Sequence, residues 1–236
     1  EAARLFSHYD LASIAVLDNQ KRLIGIVEAN NALKVIEAED QEDIERMMGI
    51  VGQGNVANYQ QLSVAQHIKN RMGWLISLAL IGFFSGSILM SYESLLDQLI
   101  ILAIYLPMIA DSGGNAGGQS ASVVIRALAI GELTIKQTWK ILSKEFLIAI
   151  GLAAILALVA LSRVWFFTSD AELPGNITIS TIMLIIGLAL FIQVVTSTLI
   201  GALLPLVVHY FKRDPAVIAS PAITTIVDIS GLLIYF

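Results

Sequence analysis

The sequence predicts an all-α polytopic membrane protein with five transmembrane helices in each subunit, preceded by a partial α/β module and an amphipathic connecting helix. Three observations lead to this fold class. Hydrophobic residues make up 56% of the 236 residues and charged residues only 14%, whereas soluble domains carry about 25% charged residues. Long apolar segments fill the chain after residue 73. Ten of the nineteen acidic residues precede residue 47, which indicates a water-exposed front part.

The front part, residues 1–48, is predicted to be a cytoplasmic α/β unit. Glu1 to Tyr9 is typical of the end of a helix and has no apolar core, so it is not a signal peptide. Ser13 to Leu17 and Leu23 to Val27 are apolar enough for two strands, and Asp18 to Lys21 supplies turn residues between them. Asn30 is suited to cap the next helix. We therefore expect a strand, turn, strand and helix in this order.

The helix after Asn30 is expected to direct Leu33 and Ile36 inward. It also carries an acidic run, made of Glu37, Glu39, Asp40, Glu42, Asp43 and Glu45. Such a run is either a solvated helix face or a regulatory site for a divalent cation, because a cation would allow two acidic faces to approach each other. The sequence leaves both interpretations open.

Residues 49–73 connect the front part to the membrane domain. Gly49 to Gln61 is a polar linker without charge, and Val64 to Met72 forms a short basic amphipathic helix with His67, Lys69 and Arg71. Helices of this kind lie along membrane surfaces. We expect this one on the cytoplasmic surface.

Residues 74–236 form the predicted transmembrane domain, because each apolar segment is long enough to cross about 30 Å of hydrocarbon. The segments are Trp74 to Met90, Leu95 to Ala129, Ile141 to Phe167, Ile177 to Val208 and Ala216 to Phe236. Lys and Arg residues cluster at alternate ends of these segments, and cytoplasmic loops are enriched in them. The prediction is a multi-pass protein of the plasma (inner) membrane with a cytoplasmic N-terminus and an outside C-terminus.

Two acids are predicted at membrane depth. Asp111 lies in a segment that also carries a proline, glycines and amides, and Asp228 lies in the last apolar segment. A carboxylate at the bilayer centre costs about 2.5 to 3.5 kcal/mol on insertion scales, so it normally faces a cavity, a partner or an ion. Pairing of Asp111 with Arg126 is excluded, because fifteen helical residues separate them by about 22 Å.

The polar residues of the second segment are candidates to line an aqueous path, since loosened backbone and amide oxygens can do so at membrane depth. The candidate lining residues are Pro107, Gly113, Gly114, Asn115, Gly117 and Gln119 of this segment, together with Ser220 and Pro221 of the last segment. The glycines also fit the spacing that lets membrane helices pack closely. A phosphate-binding loop is disfavoured, because no Lys-Ser or Lys-Thr pair follows the glycines.

The candidate ligands suit a hard divalent cation. The chain has no cysteine, and its three histidines are far apart in sequence, so soft-metal coordination has few ligands. Asp228 is the principal candidate ligand, Asp111 is a second, and Thr224 is a third through its backbone carbonyl. Mg²⁺ is commonly held by one or two carboxylates while it keeps several waters. Two copies of Asp228 across a dimer axis would give such a site.

Three stretches together resemble the MgtE family of magnesium channels: PMIADSGGNAGGQSASVVIRALA, HYFKRDPAVIASP and VDISGLLIYF. The likeness extends to the front part, which resembles the closing half of a CBS module, and to the surface helix, which is similar to the plug helix of the family. The resemblance implies a homodimer with its pore between the subunits. It further implies that Asp228 binds hydrated Mg²⁺ and that cytoplasmic domains close the pore when Mg²⁺ is plentiful.

The chain departs from the family pattern at several positions. Asp111 stands where a small uncharged residue is expected, Gly118 replaces an amide, and Ser220 replaces an asparagine. Glu28 and Asn31 replace the threonine and aspartate with which CBS modules often hold a nucleotide, so nucleotide binding is not expected. The expected partners are a second copy of the chain, membrane lipid and divalent cations, without nucleic acid.

Three alternatives to a magnesium channel remain open from the residues. One is a broader transporter that also accepts Mn²⁺, Co²⁺ or Ca²⁺. Another is a membrane-embedded metal-dependent enzyme that uses Asp111 and Asp228, although no nucleophile or histidine cluster accompanies them. The third is a structural receptor. The sequence favours transport over catalysis, so no enzymatic activity is predicted.

Overall fold

A computed structural model of the protein describes residues 6, 11–50, 60–168, 173–175, 177–215 and 220–236. The chain divides into two compact units. One unit comprises Glu1–Arg46 and Ile50–Arg71, and the other comprises Met47–Gly49 and Met72–Phe236. Predictions for residues 1–5, 7–10, 51–59 and 216–219 lie outside the described residues, as does the side chain of Ser220.

The first unit contains an antiparallel hairpin of β1, Ser13–Leu17, and β2, Leu23–Glu28. The Asp18 carboxylate accepts hydrogen bonds from the backbone amides of Gln20 and Arg22, each at 2.8 Å. The hydrogen bond from the Arg22 backbone is the main reason that the pKa of Asp18 lies below its usual value. The predicted strands and turn are thus confirmed.

Helix α1, Ala29–Met47, follows β2 directly. Its buried residue is Ala32, whereas the Leu33 side chain is 54% exposed and Ile36 is half-buried. The prediction that Leu33 points inward was therefore wrong. Ala32 lies one position earlier, about 100° around the helix axis, and takes the buried position that Leu33 was predicted to have.

Six helices follow in the rest of the described chain, with one short 3-10 helix. They are α2 Val64–Ser91, α3 Glu93–Gln98, α4 Ile100–Ala129, the 3-10 helix Ile135–Gln137, α5 Thr138–Thr168, α6 Ile179–Tyr210 and α7 Ser220–Tyr235. Among the described residues, α2, Ile135–Thr168 and α6 are long and apolar enough to cross a membrane. The protein is therefore a helical membrane protein.

Two differences from the predicted segments have local causes. α2 includes both the predicted surface helix and the first predicted segment, because the glycine between them, Gly73, does not interrupt the helix. The second predicted segment is broken at Leu99, whose backbone angles of φ −132° and ψ 65° are not helical. The first turns of that segment form the short helix α3 instead.

Helices α4 to α7 pack through small residues. Ala149, Ala153 and Ala160 of α5 are fully buried, and a β-carbon on Gly201 of α6 would overlap the backbone of Gly117 in α4. Small residues allow membrane helices to approach closely, since association there depends on packing rather than on release of water. The crossing of α4 and α6 is consequently a contact between backbones.

Two tyrosines join α4 to its neighbours near the start of the helix. The hydroxyls of Tyr105 and Thr168 lie 2.6 Å apart and form a buried hydrogen bond between α4 and α5. Tyr235 of α7 donates to the backbone carbonyl of Leu102 at 2.9 Å. These hydrogen bonds fix one end of α4 against both helices.

Candidate metal site

Asp228 lies half-way along α7 and is partly exposed. Its Oδ1 atom is 3.9 Å from the position that a β-carbon on Gly114 would occupy, and the Thr224 methyl group is 3.0 Å from the same position. A side chain at residue 114 would therefore crowd α7. Because Gly114 has no side chain, α4 can approach the turn of α7 that carries Asp228.

Asp111 lies three residues before Gly114, almost one helical turn earlier on α4. Its side chain is exposed, and its carboxylate is close enough to that of Asp228 for the two charges to interact. Two like charges that interact repel each other, and a cation between or beside them removes that repulsion. The structure thus brings together the two acids that the sequence placed at membrane depth.

One face of α4 is polar and exposed. Pro107, Asp111, Asn115, Gln119 and Arg126 follow each other at helical spacing along this face. On the opposite face, Ile109 and Val124 are each 1% exposed. If α4 lies at membrane depth, as predicted, this polar face needs water, an ion or a second protein surface.

The predicted lining residues are distributed over two faces of α4. Pro107, Asn115 and Gln119 belong to the exposed face, and Gly114 lies against α7. Gly113 and Gly117 are buried against α6, where β-carbons would collide with Gln193 and with the Ser197 carbonyl oxygen. Helix packing accounts for these two glycines, and their role in lining a path stays a prediction.

The start of α7 carries the remaining candidates. Pro221 is half-buried, and its carbonyl oxygen accepts a hydrogen bond from Thr225 Oγ1 at 2.9 Å. Thr224 lies one turn before Asp228, on the side of α7 that meets Gly114. Any contribution of the Thr224 carbonyl to ion binding stays a prediction.

The acidic run of α1 contains an ion pair between Glu42 and Arg46. Among the described residues, no group of three or more His, Asp and Glu side chains is arranged to hold a metal ion. Neither the acidic run of α1 nor the pair of Asp111 and Asp228 forms such a group. A site built from one chain offers two carboxylates, so water or a second copy must supply the other ligands of a divalent cation.

Two polar residues of α5 and α6 were not singled out from the sequence. Gln193 of α6 is fully buried and donates a hydrogen bond from Nε2 to the Val227 carbonyl oxygen at 2.9 Å. Glu145 of α5 accepts a hydrogen bond from Ser120 of α4 at 2.7 Å. Each was detectable as a polar residue within a long apolar segment, which is costly unless it has a partner.

Fold and site together define a helical membrane protein with a pair of acidic side chains at the contact of two interior helices. Residues 106–236 match the model of the MgtE family, described as a divalent cation transporter. These residues are more than half of the chain and include most of α4 and all of α5 to α7. The protein therefore belongs to the MgtE family.

Curated relatives agree with this assignment over the whole chain. The "Magnesium transporter MgtE" of Thermus thermophilus is 34% identical over 235 residues, covering 100% of this chain and 50% of the relative. The protein of the same name from Bacillus subtilis is 33% identical over 238 residues, covering 100% of this chain and 49% of the relative. The chain thus spans about half the length of the curated relatives that it matches.

Proposed function

We propose that this chain forms a homodimeric pore for Mg²⁺ uptake across the plasma (inner) membrane. In this proposal α2 and α4 to α7 are the five transmembrane helices, and the first unit is the closing half of a cytoplasmic CBS module. Asp228 from both subunits holds the hydrated ion, and Asp111 lies beside it. Relatives that are named magnesium transporters support the choice of Mg²⁺.

The observation that carries the proposal is the juxtaposition of Asp228, Gly114 and Asp111. Because Gly114 has no side chain, α7 lies close to α4, and the two carboxylates form one negatively charged region. Mg²⁺ loses its water reluctantly and is usually bound through one or two carboxylates with several waters retained. The site therefore fits a hydrated Mg²⁺ ion better than a fully dehydrated one.

A second copy of the chain is expected opposite the polar face of α4. Asp111, Asn115 and Gln119 are exposed on a single chain, and exposure of such residues to lipid is unfavourable. None of the 28 residues of α2 is buried, so this helix also has surface available for a partner. A closed two-fold dimer would place both copies of Asp228 around one path.

Regulation is proposed to come from the cytoplasmic unit. Glu37, Glu39, Asp40 and Asp43 extend along α1, and Mg²⁺ bound between such acids would reduce their repulsion. Binding of the ion at high cytoplasmic concentration would then favour the closed pore. In the proposed orientation in the membrane, the N-terminus is cytoplasmic and the C-terminus is outside.

Mg²⁺ flux into liposomes tests the proposal. The purified chain should conduct Mg²⁺, and Asp228→Asn should lower the flux at least about tenfold, because the carboxylate is the charged ligand. Asp97→Asn is the matched control, since Asp97 is exposed on α3 outside the site. Normal flux in Asp228→Asn, with the control also normal, would exclude Asp228 as the ion ligand.

A broader divalent selectivity is the second candidate function. It is supported by the second acid, Asp111, and by the family description as a divalent cation transporter. Mn²⁺, Co²⁺ and Ca²⁺ should then compete with Mg²⁺ for flux in the same liposomes. Enzymatic activity has less support, because the relatives are named as transporters.

A further inference from the structure

Gln193 is a buried amide at the junction of three helices. It belongs to α6, and its side chain has no exposed surface. Its Nε2 atom donates to the Val227 carbonyl oxygen of α7 at 2.9 Å. The Ser230 hydroxyl donates to the same oxygen at 2.9 Å. Val227 immediately precedes Asp228, so Gln193 bonds the backbone next to the proposed ion ligand.

Two glycines make room for this amide. A β-carbon on Gly231 of α7 would lie 2.6 Å from Gln193 Nε2, and one on Gly113 of α4 would lie 2.9 Å from Gln193 Cγ. Both distances are far below van der Waals contact. The Gln193 side chain therefore occupies space that only glycine leaves open on α4 and on α7.

Stability alone does not explain an amide at this position. Within the described chain, Gln193 Oε1 is buried without a hydrogen-bond donor, and Ser197 Oγ on the next turn of α6 is also buried without a partner. A buried polar atom without a partner costs free energy. An apolar side chain of similar length would fill the same space without that cost.

We propose that Gln193 is a positioning residue for the ion site. Its hydrogen bond fixes the height of α7 relative to α4 and α6, and so sets the place of Asp228 beside Gly114 and Asp111. The role at the ion rests on the proposed function, whereas the role in helix placement does not. A carboxylate that binds a hydrated ion must be held within a fraction of an ångström of its productive position. Hydrogen bonds to the groups next to the ligand hold it there.

Disulfide formation measures the helix placement without any transport. The position of a β-carbon on Gly114 lies 3.9 Å from the Thr224 β-carbon, within the range of about 3.5 to 4.5 Å that disulfides need. The chain has no cysteine of its own. The double variant Gly114→Cys with Thr224→Cys should therefore form an α4–α7 disulfide on mild oxidation.

Gln193→Met in this cysteine background should slow disulfide formation about fivefold, the size expected when one neutral hydrogen bond is lost. Methionine keeps the length of the side chain but donates no hydrogen bond. Thr198→Val is the matched control. Thr198 is also buried on α6, but its hydroxyl bonds only the Val194 carbonyl of its own helix.

Flux measurements then test the effect at the ion. Without the cysteines, Gln193→Met should raise the half-saturating Mg²⁺ concentration about fivefold. Its thermal unfolding temperature should stay unchanged or rise, because the unpartnered Oε1 is removed with the amide. A residue with a purely structural role would instead lower the unfolding temperature and leave the half-saturating concentration unchanged. Thr198→Val should not change the half-saturating concentration.

The outcomes separate this proposal from the proposed function. If the unmodified chain carries no Mg²⁺ but Gln193→Met slows the disulfide, the function fails and the placement role stands. If the chain carries Mg²⁺ and Gln193→Met leaves both the disulfide rate and the half-saturating concentration unchanged, the positioning role is overturned. Equal slowing by Thr198→Val would also overturn it, because the effect would then belong to α6 packing in general.

Discussion

At the scale of single residues, Asp111 and Asp228 are understood together, as a pair of acids. At the membrane depth that the sequence predicts, each acid is unfavourable, and the charge of Asp111 adds repulsion at Asp228. Repulsion in a region of low dielectric is removed most directly by a cation. A divalent ion that keeps its water can be shared by two carboxylates through its bound water molecules.

Replacement of Asp111 should change ion binding rather than folding. In Asp111→Gly we expect a half-maximal Mg²⁺ concentration about threefold to tenfold higher and a changed preference among Mg²⁺, Ca²⁺ and Mn²⁺, because one of the two negative charges is lost. Liposome flux with each ion and thermal unfolding are the measurements.

The control for Asp111→Gly is Ser122→Gly. It places a glycine on the same face of α4, where the Ser122 hydroxyl bonds only the Gly118 carbonyl of its own helix. A lower unfolding temperature in Asp111→Gly with unchanged ion preference would make Asp111 a structural residue.

The two acids were visible in the sequence, but the roles of the glycines were not. Composition identifies Gly113, Gly114 and Gly117 as one small-residue stretch. Their directions around the helix axis separate them, since Gly114 contacts α7, Gly113 contacts α6, and Gly117 lies between α6 and α7. Sequence spacing gives the relative directions of residues around one helix. The packing of the neighbouring helices determines which element each residue contacts.

At the scale of helices, the crossing of α4 and α6 depends on Gly201. A methyl group there would meet the Gly117 backbone, which cannot move aside as a flexible side chain can. Gly201→Ala should therefore reduce stability by about 1 to 3 kcal/mol, the usual range for overpacking. Thermal unfolding in detergent is the measurement.

Gly151→Ala provides the comparison for Gly201→Ala. Gly151 lies in α5, and nothing lies within 4 Å of an added β-carbon there. This variant should be neutral or slightly stabilising, because alanine favours the helix more than glycine does. Similar losses in both variants would mean that the helix crossing is not the cause.

The helices themselves were largely predictable. The lengths of the apolar segments predicted the bounds of α5 and α6 to within a few residues. A helix in lipid must make all its backbone hydrogen bonds internally over the whole span, so its length follows the apolar segment. The pattern could not give the break at Leu99, which depends on a single non-helical residue. It also missed Gln193, whose partner is a backbone carbonyl 34 residues further along the chain.

At the scale of the whole molecule, the described part of a single chain leaves the following surfaces open to a second protein. One is the polar face of α4, and the other is α2, which has no buried residue among those described. Lipid can cover an apolar helix but cannot satisfy Asp111, Asn115 and Gln119. The polar face therefore calls for water and a second protein surface, as a pore between two subunits would provide.

Single cysteines distinguish a water-filled path from a surface that faces lipid. Asn115→Cys, on the polar face of α4, should react with a charged, water-soluble thiol reagent in liposomes, because thiolates form and react only where water reaches them. Leu184→Cys is the control on α6. Leu184 is 67% exposed on a single chain, but it belongs to an apolar surface and should remain unreactive. Mg²⁺ should slow the reaction at residue 115 by occupying the neighbouring site. Equal reaction at both positions, or none at residue 115, would contradict a water-filled path along α4.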